Sequence, residues 1–160
     1  MVFLKDGIIG DVKGSLLTGK VISTGFTKAY FAVAIFIDLQ DPEDMAVLEP
    51  ELLKVLNGDL PEYDAVQELY SLHADKNETV IDVNMPVFSD KERHSKLPTI
   101  TLYHLVCRYN VFDSIIKSVE RGEKPVVFQE EYDRRMNLVK GYDGNWACMK
   151  NKIGESPVKG

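Results

Sequence analysis

The sequence predicts a single α+β domain, with a ferredoxin-like βαββαβ core over residues 29–129 and a β-hairpin added at each end. Three observations carry that expectation. Residues 16–39 are crowded with β-branched and aromatic side chains. From Asp41 onward the apolar spacing becomes helical. Asp143-Gly144 is a strong type I′ turn signal between two β-rich segments. A chain of 160 residues is the size of one domain. Residues 1–149 are expected to form it, with 150–160 as a tail that has little to bury.

In chain order, "LLTGKVISTGF" and "AYFAVAIFIDL" read as the two strands of a hairpin. The second, being apolar on both faces, is expected as a central covered strand. "DPEDMAVLEPELLKVLNGD" reads as a helix capped by Asp41, with Pro42 in its first turn. Glu43 and Asp44 sit at the positive end of its dipole, Leu48, Leu52, Val55 and Leu56 form its apolar face, and Asn57-Gly58 stops it. Pro50 is expected to break or restart it. "PEYDAVQELYSLH" places Tyr63, Val66, Leu69, Tyr70 and His73 along one side of a second helix. "ETVIDVNMPVF" and "PTITLYHLVCRYN" read as strands joined by the loop "SDKERHSKL". Asn110 caps a helix "VFDSIIKSVERG" ended by Gly122, "PVVFQ" is a further strand, and "EEYDRRM" is open between helix and strand. "NLVKGY" and "NWACMK" form the closing hairpin.

The stretch "GSLLTGKV" has the spacing of a phosphate-binding loop, with Gly14, Gly19 and Lys20 in place. Such a loop needs a buried strand before it, a helix after it and a hydroxyl after the lysine. Here Val21 stands at the hydroxyl position and β-rich "VISTGF" follows. The glycines are therefore assigned to turns and no nucleotide is expected.

Asp38, Asp41, Glu43 and Asp44 cluster at the end of an apolar run. Oxygen ligands so grouped suit Mg²⁺ or Ca²⁺, so Asp38, Asp41 and Asp44 form the alternative, metal-binding reading; helix capping accounts for Asp41, Glu43 and Asp44 without a metal. His73, His94 and His104 share no metal-ligand spacing. His94 is expected in an exposed loop and His104 in the core. A relay of Cys107 with His104 fails if both lie on a strand, where residues three apart face opposite ways. Ser114 and Ser118 have no evident base, so no acid–base pair or nucleophile is recognisable and an enzyme is not expected. No cofactor is implied.

Charge is unevenly distributed. Residues 38–68 hold ten carboxylates against Lys54, a local charge of −9 in a chain of −6, so the remainder carries +3. That sign disfavours nucleic acid. Tyr30, Phe31, Phe36 and Tyr103 would supply stacking aromatics on a sheet, but the Lys/Arg-Gly-aromatic run that accompanies them in RNA-binding domains is missing. Charges at residues 5 and 6 interrupt any signal-peptide core, and the longest apolar run, 29–37, is too short for a membrane helix. Cys107 and Cys148 form no CxxC pair and fit a reducing compartment, so a cytoplasmic location, or a virion, is expected.

The expected function is non-enzymatic: an interaction or assembly protein that oligomerises or docks on a protein partner. The alternative is a small enzyme or ligand-binding domain with a divalent-metal carboxylate site near Asp38 and Asp41, and the third a nucleic-acid-binding module. For the first reading, a small viral or phage structural subunit fits, as does a cytoplasmic adaptor. The acidic segment would contribute Glu43, Asp44, Glu51, Glu62 and Asp64 to the interface. The basic C-terminal region would contribute Arg134, Arg135, Trp146, Lys150 and Lys152.

Overall fold

A computed structural model describes the backbone of residues 2–4 and 7–142 and the side chains of 9–142. Its elements are β1 (Val2–Leu4), β2 (Gly7–Ser15), β3 (Lys20–Thr24), a 3-10 turn (Lys28–Tyr30), α1 (Phe31–Leu39), α2 (Pro42–Leu56), β4 (Glu62–Val66), β5 (Tyr70–Asp75), β6 (Glu78–Val83), β7 (His94–Pro98), α3 (Thr99–Glu120) and α4 (Phe128–Met136). The fold is mixed helix and sheet, with two antiparallel sheets ordered β1-β2-β3 and β4-β5-β6-β7. Across residues 29–129 the order is helix, helix, four strands, helix, helix, in place of the expected ferredoxin-like alternation.

Each difference has a local cause. Residues 31–39 are a helix because an all-round apolar run suits a buried helix as well as a covered strand. Ala32, Val33, Ala34, Phe36 and Ile37 are all buried, and the small alanines let the neighbouring sheets approach. Residues 99–110 are likewise helical. β-rich in composition, they form the first half of the 22-residue α3, buried from Thr99 to Cys107. Burial on every side overrides strand propensity there. Asn110, expected as a cap, lies mid-helix, and its side-chain amide donates to Met45 O and Glu49 Oε1, both at 3.0 Å.

Residues 61–73 are two strands rather than a helix, because their true period is two. Tyr63, Ala65, Leu72 and Ala74 face inward, while Glu62, Asp64, Val66 and His73 face out. The loop before α3 contributes β7, and "PVVFQ" is an open connection running into α4, with Val126 and Val127 exposed. An N-terminal hairpin exists, but β2 and β3 form it, with Ser15 opposite Lys20. The closing hairpin about Asp143-Gly144 lies outside the described residues.

The helix from Pro42 to Leu56 forms as expected. Asp41 and Asp44 make a reciprocal capping box. Met45, Leu48, Leu52, Val55 and Leu56 are buried, and Asn57 and Gly58 (φ +80°) end it. Pro50 does not break it: Pro50 is on the exposed side, where water can take the Ala46 carbonyl that loses its donor. α3 is the axis of the molecule. β2 packs along one flank and α2 and α4 along others. Its first residue joins the β5–β6 turn, where the Thr99 hydroxyl donates to Asp75 O at 2.6 Å and also bonds Thr79 at 2.8 Å.

Candidate interaction surface

The interior holds the most polar chemistry and uses it for packing. Arg108, on α3, donates from Nε to Asp11 Oδ1 at 2.8 Å and from Nη2 to Oδ2 at 3.2 Å. Its guanidinium lies 5.8, 5.2 and 5.7 Å from the ring centres of Phe112, Phe128 and Tyr132. Burial pushes the Asp11 carboxyl upward, and the charge of Arg108 helps overcome this, leaving it below the usual range. One turn earlier, His104 Nδ1 shares a hydrogen bond with the Tyr132 hydroxyl. His104 Nε2 has no partner among the described residues, and burial, reinforced by Arg108, lowers the imidazole pKa to about 3. It is a core histidine with one satisfied nitrogen.

Cys107 and His104 are on one helical face, not on opposite faces of a strand. The thiol is nonetheless fully buried, and burial raises its pKa well above the usual value.

The carboxylates set aside for a metal are engaged with protein. Asp38 Oδ1 accepts from Ser23 N–H at 3.0 Å and its Oδ2 from the Ser23 hydroxyl at 2.7 Å, tying α1 to β3. Asp41 and Asp44 cap α2. Among the described residues no group of three His, Cys, Asp or Glu is arranged to hold a metal ion.

The acidic and basic candidates meet within one chain. Arg135 donates to Glu49 at 2.6 Å and to Glu131 at 3.0 Å, and Arg134 bonds Glu131, whose pKa falls to about 2 chiefly through Arg134. Glu51 pairs with Lys54 at 3.1 Å. Glu43 and Arg135 line a charged groove of about 350 Å³ between α2 and α3, together with Asp113, Ser114, Lys117 and Arg121. Glu62 and Asp64 lie elsewhere, on the outer face of β4. Trp146, Lys150 and Lys152 are outside the described residues. The four aromatics proposed for RNA are not on a sheet: Phe31 and Phe36 belong to α1, Tyr103 to α3 and Tyr30 to the 3-10 turn.

Two surfaces remain exposed and chemically distinctive. The first is the tip of the β2–β3 hairpin, which is the "GSLLTGKV" stretch. Gly19 (φ +66°) closes the turn by donating to Ser15 O at 2.9 Å, and Lys20 begins a strand, so no helix follows to hold phosphate. Gly14 serves a different purpose from the one expected: a methyl there would lie 3.0 Å from Phe112. At the apex Leu16 is 64% exposed and Leu17 99%. Turn apices favour Gly, Asn, Asp and Ser, so two adjacent leucines have no turn-forming role. A Cβ on Gly19 would lie 3.2 Å from Glu120 Oε1, which sets the apex by the end of α3, where Val119 is also exposed.

The second is the outer face of the four-stranded sheet. Register places Glu62, Asp64 and Val66 of β4 beside Ser71, His73 and Asp75 of β5, then Glu78, Val80 and Asp82 of β6, then His94 and Lys96 of β7. Two cross-strand pairs form there, His73 Nδ1 with Asp64 and His94 Nδ1 with Asp82, each at 2.6 Å. The bond to Asp64 raises the His73 pKa above its ordinary value. Sequence reading named Glu62 and Asp64 of the face but not the hairpin tip or the rest of the face. The adjacent leucines within a turn motif were the available signal for the tip, but the face needed the β4–β7 register. No known family model, curated protein or solved structure matches the chain. Among the described residues no helix is long and apolar enough to cross a membrane.

Proposed function

We propose that this chain is a non-enzymatic interaction or assembly protein that works by docking on a protein partner, including another copy of itself. The observation that carries the reading is the hairpin apex, where Leu16 is 64% and Leu17 99% exposed close to the end of α3. Neighbouring apolar side chains held in water by a rigid hairpin gain free energy when a partner covers them. The engaged state of Asp38, Asp41, Asp44, Cys107 and His104 supports the non-enzymatic half of the reading.

Light scattering on a sizing column tests it, run over a hundredfold concentration range with wild type and with the Leu16→Ser/Leu17→Ser variant. Wild type should exceed 18.1 kDa as concentration rises. The variant should keep its circular dichroism spectrum and lose the association. A wild type fixed at one monomer mass throughout would overturn self-assembly. Association equal in both proteins would remove the apolar end from the explanation. Deletion of residues 150–160 asks, in the same assay, whether the tail contributes.

A further inference from the structure

We infer that the partner of the leucine tip is the outer sheet face of a second copy, so that the protein associates head to tail. This rests on the assembly reading above and specifies its geometry. The tip and the face lie at opposite ends of α3. The tip approaches Glu120, the last residue of that helix, and the β5–β6 turn bonds Thr99, its first. A helix of 22 residues separates the two ends by about 33 Å.

The two ends are complementary. At the tip, Lys13 and Lys20 on the two hairpin strands flank the apex, have no acidic partner among the described residues and outnumber the nearby Glu120. On the face, Glu62, Asp64, Asp75, Glu78 and Asp82 outnumber Lys96. Val66, 74% exposed, and Val80 provide apolar area among those carboxylates. A tip seated on a face therefore covers Leu16 and Leu17 with valine while bringing unpaired lysines to a negative sheet. Tip against tip would oppose lysines, and face against face would oppose carboxylates. The remaining arrangement joins unlike patches. Such a contact is heterologous: it leaves one tip and one face free at the ends of each assembly, and grows until it closes into a ring or continues as a filament.

That asymmetry supplies the test. Leu16→Ser/Leu17→Ser removes the tip and leaves the face; Asp64→Lys/Asp82→Lys reverses charge on the face and leaves the tip. Sedimentation velocity on each alone, with circular dichroism confirming the fold, should give monomers where wild type gives larger species. An equimolar mixture should give a dimer and nothing larger, because only one tip–face pair is possible in it. High salt should dissociate both the wild-type assembly and that dimer. If wild type assembles and either variant alone does too, the head-to-tail contact is wrong while assembly stands. If the mixture stays monomeric, the pairing of these two surfaces is wrong. If wild type is monomeric and the tip instead drives sedimentation with anionic phospholipid vesicles, the second copy is the wrong occupant and self-assembly falls with it.

Discussion

Buried charge makes Arg108 and His104 the most consequential single residues. Asp11 is almost fully buried, and Arg108 is its bidentate partner across 97 positions of sequence. Arg108→Met keeps much of the volume but removes the guanidinium, so unfolding free energy in urea should fall by about 3–5 kcal/mol, the usual result of stranding a buried ion. Arg108→Lys should recover only part of this, since an ammonium cannot reproduce the fork or its stacking among three rings. His104 sets an acid limit. An unfolded histidine titrates near 6.5, whereas the folded one is held at about 3 and stays neutral. The unfolded chain therefore takes up the proton first. The stability due to this residue is full above about 6.5 and is lost as pH falls toward 3. Between pH 7 and pH 5 that loss is about 2 kcal/mol, and His104→Phe should lack it in paired denaturation curves. Neither partnership was legible in the sequence. An arginine in an apolar run and a histidine one turn before it acquire partners only when α3 packs against β2 and α4.

Elements with a clean period or clear end signals were legible, and those with ambiguous apolar runs were not. The α2 helix could be read from Asp41, Pro42, its leucine spacing and Asn57-Gly58, since each acts over a few residues. α1 and the first half of α3 could not. Their composition suits strand or buried helix equally, and only the surrounding layers choose. β4 and β5 were missed because tyrosines and leucines three and four apart imitate a helix when a turn, here Gln67–Leu69, is placed inside the window. Two substitutions probe this scale. Pro50→Ala restores a donor inside α2 at an exposed position and should stabilise the protein by about 1–3 kcal/mol in urea titration. Gly14→Ala puts a methyl 3.0 Å from Phe112, whose ring lies 4.4 Å from Phe128. It should destabilise by about 1–3 kcal/mol through displacement of that stack.

Charge segregation, the feature that first suggested assembly, divides in two at the scale of the whole molecule. Part is consumed internally: Glu49 on α2 holds both Arg135 of α4 and Asn110 of α3, clasping three helices. Glu49→Gln should therefore lower stability by about 1–3 kcal/mol and leave the mass in solution unchanged, whereas changes at Leu16, Leu17, Asp64 or Asp82 should do the reverse. Denaturation and light scattering on Glu49→Gln and the two double variants separate the two roles. What acts locally or additively was legible from the residues alone: a mixed α+β fold, the capped α2, the failure of the phosphate-loop motif, and an excess of carboxylate between residues 38 and 68. Tertiary structure alone decided which apolar runs became helices, which charges found partners at home, and which surfaces stayed exposed. The physical reason is reach. Capping, turn chemistry and period operate within a few residues, but burial and pairing depend on neighbours brought from as far as 97 positions away.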